Sequence, residues 1–376
     1  MYLLIAGDFA PITSRIIEQI DNTKFDEIFP IDLVRTIKGA DYSIVNFECP
    51  IVEENSKPIE KYGPALKCSP KAVDALKYSG FQGVTLANNH VLDQGTGGLR
   101  KTVACCKEAN LDVTGVGKNL KDAGKILYIV RNGEKLAIIN CCEHEFSIAT
   151  EDKDGACPLD PVLQYKQINE ARKKANFVVV IVHGGHEHYQ LPSPRMKETY
   201  RFFIDAGADA VVNHHQHCFS GYEFYNNKPI VYGLGNFAFD WDGKKNSIWN
   251  KGYLVKLNLK SEIELELIPY EQYDKSASVQ LIKSKEEFNS EIMRLNEIIS
   301  DDNKLNGNFN RYLDSRIPIL KSILEPFQNR WIRAAINRHL MPSLVTKKWI
   351  VKILNIIDCE AHRDTLLFFL RKTARG

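Results

Sequence analysis

The sequence predicts an α/β fold followed by a helical region, and three observations support this prediction. Short apolar runs alternate with helical patterns up to about residue 240, which is typical of an α/β domain. Residues 177–182 form the most apolar run and are predicted to be a strand at the centre of a sheet. After about residue 280, helical patterns dominate. With 376 residues, 44% of them hydrophobic, the chain can bury one large core or two smaller ones.

The remaining elements follow from local signals along the chain. Apolar runs bounded by turn residues predict further buried strands over residues 2–6, 42–47, 83–87 and 209–212. Periodic apolar positions predict helices over residues 97–109, 161–174 and 194–206. Another helix is predicted to begin with Ser69 as its N-cap and Pro70 at its first position, and to end near Gly80.

Turn residues predict the antiparallel parts of the fold. Asn132-Gly133 can supply the positive φ of a tight turn, so residues 126–130 and 136–141 are predicted to form a hairpin. Beyond Tyr222, further hairpins are predicted around residues 226–227 and 260–261. We therefore divide the chain into an α/β domain over residues 1–280 and a C-terminal helical region over residues 281–376.

Charge and composition exclude some partners and leave others open. The 49 Lys and Arg residues nearly balance 47 Asp and Glu residues, which argues against a nucleic-acid binder. Residues 321–376, however, hold 11 basic and 4 acidic residues in a partly amphipathic pattern. This region is predicted either to pack on the domain or to make peripheral contact with a membrane or partner proteins. The short apolar N-terminus predicts a first strand rather than a signal peptide or membrane span, and hence a cytoplasmic protein with free cysteines.

Polar residues suited to bind metal ions follow one apolar strand after another. Asp8 follows the first strand, Glu48 the second, Asn89 the third, His183 the central strand and His215 the next. Ligands of open α/β sheets lie at the carboxyl ends of the strands, so these five loops are expected to converge. Carboxylate, imidazole and amide ligands together indicate Mn, Fe or Zn, and their number suits two ions.

Two details refine this predicted site. Glu48 is the candidate for a carboxylate that bridges the two ions. His215 and His217 are alternate residues, so in an extended segment their side chains would point the same way. The alternative for this pair is a solvated histidine cluster.

The motifs around these residues resemble, in order, those of the CapA family of poly-γ-glutamate capsule biosynthesis over residues 2 to 240. The matching segments are Gly7-Asp8, Asn46-Phe47-Glu48-Cys49-Pro50, Ala87-Asn88-Asn89-His90, Val182-His183-Gly184-Gly185, Ala206-Gly207-Ala208-Asp209, His214-His215-Gln216-His217 and Tyr232-Gly233-Leu234-Gly235-Asn236-Phe237. That family is similar to the calcineurin-like metallophosphoesterases. The resemblance implies a metallophosphoesterase-like α/β/β/α sandwich that holds two divalent ions.

The resemblance also implies roles for individual residues. The implied metal ligands are Asp8, Glu48, Asn89, His183, His215 and His217. His90 is implied to be a catalytic residue that acts as a general acid or stabilises an oxyanion. The superfamily usually has a histidine two positions after its first aspartate, and Ala10 replaces it here, so one metal would lose a ligand.

Three further residues keep two interpretations each. Glu187 is a second catalytic candidate near the metals, or else a solvated loop carboxylate. Asn236 either reaches the site or closes a turn, and we favour the turn. Asp93 is expected to shape its loop rather than to contact substrate.

The primary hypothesis is a metal-dependent hydrolase or transferase that acts on an amide or ester bond of a capsule or cell-envelope polymer, or of its precursor. The alternatives are a cytoplasmic metallophosphoesterase and a non-catalytic component that assembles polymer or docks on a membrane. A phosphate substrate requires Arg or Lys near the metals. No basic residue lies inside the ligand motifs, although Arg100 and Arg195 are close in sequence, and this favours the amide or ester.

Overall fold

The structure is a computed structural model that describes residues 1–52, 56–61, 63–324, 329–338, 340–342, 345–358 and 360–373. It divides into two compact units, Met1–Asn306 and Gly307–Gly376. The predicted boundary at residue 280 stays a prediction. In the described residues, no helix combines the length and the apolar character needed to cross a membrane.

Two mixed sheets form the centre of the first unit. The first has the strand order β15-β14-β13-β1-β2-β3-β4 and the second β11-β12-β10-β9-β7-β6. The strands are β1 (Tyr2–Phe9), β2 (Tyr42–Phe47), β3 (Gly83–Thr85), β4 (Asp112–Thr114), β5 (Val116–Gly117), β6 (Leu127–Arg131), β7 (Glu134–Cys142), β8 (Gly155–Ala156), β9 (Phe177–His183), β10 (Ala210–His214), β11 (Tyr222–Tyr225), β12 (Lys228–Val231), β13 (Lys251–Asn258), β14 (Glu264–Gln272) and β15 (Val279–Leu281). The central position predicted for residues 177–182 is confirmed, because β9 lies between β10 and β7.

Helices flank these sheets and make up the second unit. The helices of the first unit are α1 (Ser14–Asp21), α2 (Phe25–Ile28), α3 (Ile31–Lys38), α4 (Lys71–Ser79), α5 (Gly95–Glu108), α6 (Leu120–Ala123), α7 (Pro161–Arg172), α8 (Pro194–Asp205) and α9 (Glu286–Ser300). Those that follow are α10 (Asp302–Leu324), α11 (Arg330–Asn337), α12 (Lys347–Asp358) and α13 (Glu360–Thr373), and α10 contains the boundary between the units.

Local signals explain where several of these elements begin and end. The Asp160 side chain accepts hydrogen bonds from two backbone amides at the start of α7, and Ser193 accepts one at the start of α8. Gly80 ends α4 with a φ of 102°, as predicted. Ser69, in contrast, is not an N-cap: α4 begins at Lys71 with no side-chain cap, and the Ser69 hydroxyl donates to Asp21 instead.

The alternation of side chains along β1 explains the layers. Leu3 and Ile5 point to the core between the sheets, where Ile181 of the second sheet also lies. Leu4 points to the opposite face of the first sheet and shares a second core with Leu76 of α4. Helices α7 and α8 pack on the outer side of the second sheet. The structure thus confirms the predicted α/β/β/α sandwich with a C-terminal helical region.

Candidate metal centre

The predicted metal ligands come from the ends of five strands in two sheets. Asp8 lies in β1 at a register shift against β2, and Glu48 directly follows β2. Asn89 follows β3, His183 is the last residue of β9, and His215 follows β10. All are buried, and Glu48 has no exposed surface. The expected convergence therefore occurs where two sheets meet, rather than along one sheet.

Two glycines, Gly7 and Gly235, allow β1 to approach the segment that leads to Asn236. A Cβ atom on Gly7 would lie 1.9 Å from the carbonyl oxygen of Gly235, so a side chain cannot fit there. The close approach lets the Asp8 amide donate to Gly235 at 3.3 Å. Gly235 has a φ of 79° and so closes the turn that precedes Asn236. The Gly-Asp motif thus positions Asp8 by backbone geometry.

Glu48, Asn89, His183 and His215 form the first ligand group. The Nε2 atom of His183 lies 3.4 Å from Oε1 of Glu48, 3.1 Å from Oδ1 of Asn89 and 3.0 Å from Nδ1 of His215. Glu48, His183 and His215 each offer a ligand atom within 4.8 Å of the others. Burial and the neighbouring His215 hold the pKa of His183 well below its usual range, so its imidazole is neutral and can act as a ligand.

Asp8, Glu48 and His217 form a second group that shares Glu48 with the first. The Nδ1 atom of His217 lies 3.4 Å from Asp8 and 2.9 Å from Oδ1 of Asn236, and its Nε2 atom lies 3.9 Å from Glu48. A proton on Nδ1 would donate to Asn236 and leave the Nε2 lone pair for a metal. Asn236 therefore reaches the site and orients a predicted ligand. Our preference for a turn-closing role alone was wrong.

The backbone of His215 and His217 differs from the prediction. Both residues have positive φ values, 88° and 54°, so the segment after β10 is not extended. Their rings nevertheless lie close, with centroids 5.9 Å apart. The His215 amide donates to Asp8, which fixes this unusual conformation. The two imidazoles meet because of a strained loop, not because alternate residues of a strand share a face.

Glu187 lies beside this pair of histidines. Its carboxylate, His215 and His217 form a third overlapping group, although the Glu187 side chain is exposed. The part of its carboxylate that is shielded from water acts to raise the pKa of Glu187, but the charges of His217 and His215 outweigh this effect and lower the pKa. The structure thus brings Glu187 to the edge of the site, where a catalytic role stays a prediction.

The other catalytic candidate, His90, is held by a buried network. Nδ1 of His90 lies 2.6 Å from Oδ2 of Asp93, whose other oxygen accepts from Lys61 at 2.5 Å. Asp93 also accepts from the Leu66 amide. Because Asp93 holds Nδ1, Nε2 of His90 faces Glu48 at 4.0 Å. Asp93 shapes its loop as expected, and it also orients the imidazole.

Sequence reasoning missed three side chains of this centre. Asn46 donates to Asp8 at 2.7 Å and lies 3.2 Å from Nδ1 of His183, so it links ligands from the two sheets. His214 is buried, with its Nδ1 atom 3.4 Å from Asp8. Lys61 lies on a loop without a periodic signal. Asn46 and His214 lie inside the motifs quoted above, close in sequence to the predicted ligands Glu48 and His215. This proximity is the signal from which they could have been predicted.

The chemistry of the donor set is compatible with a divalent metal site. Oε1 of Glu48 is buried and has no hydrogen-bond partner in the described part of the chain. Burial raises the pKa of Glu48 well above its usual range, and the charges of Asp8 and Glu187 raise it further. A cation would supply the missing partner and relieve this repulsion. Ala10 is buried in the apolar core and offers no ligand atom.

Comparisons with known proteins show what this chain is similar to. The capsule biosynthesis protein CapA of Bacillus anthracis is 38% identical over 221 residues, which are 56% of this chain and 54% of that protein. The PGA biosynthesis protein CapA of Bacillus subtilis is 34% identical over 253 residues, 65% of each chain. A solved structure of a novel phosphatase from Mycoplasma pneumoniae is similar over 73% of this chain and 95% of its own, with 15% identity and a TM-score of 0.46.

The family assignment comes from the first unit. The chain spans between about half and two thirds of the length of the two curated relatives. A sequence model described as "Bacterial capsule synthesis protein PGA_cap" matches residues 2–241, which contain all six predicted metal ligands. The chain therefore belongs to the bacterial capsule synthesis protein PGA_cap family.

Proposed function

We propose that this chain is a metal-dependent hydrolase or transferase of the CapA type, and one observation carries the proposal. The carboxylate of Glu48 belongs to two ligand groups at once, is fully buried and leaves Oε1 without a hydrogen bond in the described residues. A buried, unpaired carboxylate is costly in a folded protein unless it binds a cation. A ligand shared by two groups suits a pair of Mn, Fe or Zn ions.

The two groups define which residues would hold these ions. Asn89, His183 and His215 would complete one site around Glu48, and Asp8 and His217 the other. The chemistry that two such ions supply when bound is Lewis acidity, which acidifies water and stabilises developing negative charge. The second site has fewer protein ligands, because Ala10 offers none, and it is therefore expected to bind its ion more weakly.

His90 is suited to move a proton in this reaction. Asp93 holds Nδ1 of His90, which directs Nε2 towards the ligand groups. A proton on Nε2 can be transferred to a leaving amine or alcohol bound there, which is general acid catalysis. Lys61 donates to Asp93 and so keeps the carboxylate in place. In this proposal His90 is the catalytic residue, and Asp93 and Lys61 are positioning residues.

The proposed substrate is an amide or ester bond in a capsule or cell-envelope polymer similar to poly-γ-glutamate, or in its precursor. The names of the two relatives motivate the polymer. Two cations of the described residues near the site support an amide or ester over a phosphoester, because both pair with a protein carboxylate. Lys61 pairs with Asp93, and Arg195 pairs with Glu143 at 2.6 Å. Neither has its charge free to match a phosphate.

An activity assay with two substrate classes tests this proposal. The purified chain, loaded with Mn²⁺, is incubated with poly-γ-glutamate and, separately, with a p-nitrophenyl phosphodiester. We expect new amino groups from the polymer, abolished by chelation and by the His215→Ala/His217→Ala double variant. Metal-dependent cleavage of the phosphodiester alone would overturn the proposed substrate. No metal-dependent turnover of either compound would overturn the enzymatic function.

A further inference from the structure

The second unit has a net charge opposite to that of the first. Residues 307–376 contain 13 Lys and Arg against 5 Asp and Glu, a net charge of +8. The other residues contain 36 basic and 42 acidic side chains, a net charge of −6. The near-neutral total therefore hides a strongly basic helical unit. Such an asymmetry within a chain indicates an anionic binding partner for the basic part.

Helix α12 carries both apolar and basic side chains on its exposed surface. Ile350, Val351, Leu354 and Ile357 are between 39% and 57% exposed. Lys347, Lys348 and Lys352 are exposed on the same helix. We call these seven residues the α12 surface. Large aliphatic side chains exposed together on one helix mark an interaction site rather than an ordinary solvent-facing surface.

The helical period separates most of the aliphatic side chains of the α12 surface from two of its lysines. Ile350, Leu354 and Ile357 are spaced by four and three residues, so they lie on one side of α12, next to Val351. Lys348 and Lys352, four residues apart, lie on the opposite side of the helix. At 1.5 Å per residue, the 12 residues extend for about 18 Å, too short to span a bilayer. A helix with one apolar side and lysines on the other suits a position in the plane of a membrane interface.

We propose that the α12 surface docks on an anionic lipid surface, with the aliphatic side chains inserted at the interface and the lysines facing lipid phosphates. Charge argues against a symmetric contact with a second copy of the chain, because that contact would bring two basic units together. Exposed aliphatic groups distinguish it from a soluble polyanion, which would use the lysines but gain nothing from the apolar side. The proposal does not depend on the metal centre.

Co-sedimentation of the full chain with vesicles tests the proposal. One set contains equal parts of phosphatidylcholine and phosphatidylglycerol, and the other contains phosphatidylcholine alone. Each lysine near an anionic surface strengthens binding about fivefold, so Lys347→Gln/Lys348→Gln/Lys352→Gln is expected to weaken it about 100-fold. Ile350→Ser/Leu354→Ser is expected to weaken it at least about tenfold. The control Lys118→Gln/Lys121→Gln/Lys125→Gln removes three exposed lysines from the first unit and is expected to bind like the wild type.

The outcomes separate the possible occupants. Binding to the anionic vesicles that is lost in both α12 variants and retained in the control supports the proposal. Loss in the lysine variant alone, with displacement by soluble poly-γ-glutamate, would assign the surface to a polyanion and overturn it. No binding to either vesicle, or self-association that the Ile350→Ser/Leu354→Ser variant abolishes, would also overturn it. Circular dichroism of each variant verifies that the helices are retained.

Discussion

Replacing Glu48 with glutamine should have opposite effects on stability with and without metal. In the metal-free protein, burial and the charges of Asp8 and Glu187 raise the pKa of Glu48. A folded-state pKa above the unfolded value means that stability falls as pH rises from the unfolded pKa, about 4.3, towards the folded one. Glutamine does not ionise. The metal-free Glu48→Gln variant should therefore be more stable than the wild type at pH 7.

With metal, the same change should be destabilising relative to the wild type. An ion that binds only the folded state adds about 2.7 kcal/mol to the free energy of unfolding at roughly 100 times its dissociation constant. Two ions would add about 5 kcal/mol. Glu48 belongs to both ligand groups, and one of them retains only Asp8 and His217 without it. We expect the variant to lose about 3–5 kcal/mol of this gain.

Denaturant unfolding with and without Mn²⁺ measures both effects. Trp249 is a useful fluorescence probe, because its ring lies 4.9 Å from that of His217. Asp240→Asn is a matched control, since Asp240 is a buried carboxylate outside the ligand groups and is paired with Arg15. It should lower stability equally with and without metal. If Glu48→Gln kept the full gain from Mn²⁺, Glu48 would not be a shared ligand.

Three further predictions follow from buried contacts. Asp93→Asn should lower kcat about 10- to 100-fold with metal content retained, because His90 loses its orienting carboxylate; unchanged turnover would exclude that role. Burial acts to raise the pKa of Asp240, but hydrogen bonds, the largest from Arg15, lower it overall. The ionised Asp240 carboxylate therefore stabilises the folded protein above about pH 4, and this stabilisation is lost as the pH falls further. In urea titrations at a series of pH values, Asp240→Asn should reduce this loss of unfolding free energy at acid pH. Lys197→Met should lower the free energy of unfolding by about 2–4 kcal/mol, because the buried Lys197 ammonium donates to the carbonyl oxygen of Ile299 at the end of α9. A decrease below about 0.5 kcal/mol would contradict this prediction.

Many strands and helices could be predicted because their signals are local, whereas the layered sandwich was implied by the family resemblance. The continuous run of apolar residues in β9 can be buried on both faces only at the centre of a sheet that is covered on both sides, and the structure places it there. Gly80 and the Asn132-Gly133 turn were predictable because few other residues adopt positive φ. Ser69 showed the limit of such signals, since its hydroxyl found a partner in another segment.

The site was less predictable, because its geometry depends on contacts between distant segments. The left-handed conformation of His215 is fixed by Asp8, 207 residues away, and no local rule anticipates it in a histidine. Lys61 contacts Asp93 through a loop with no periodic pattern. Asn236 could equally have closed a turn until the position of His217 was known. The sequence could predict which residues belong to the site, whereas the contacts of each side chain could be known only from the three-dimensional structure.

Elemental analysis by inductively coupled plasma mass spectrometry tests the central claim most directly. Wild-type protein is measured beside the His215→Ala/His217→Ala double variant, after both are incubated with Mn, Fe or Zn and then desalted. A metal site built from the two groups around Glu48 predicts near-stoichiometric metal in the wild type and little or none in the variant. Equal metal in both proteins, or none in either, would contradict it.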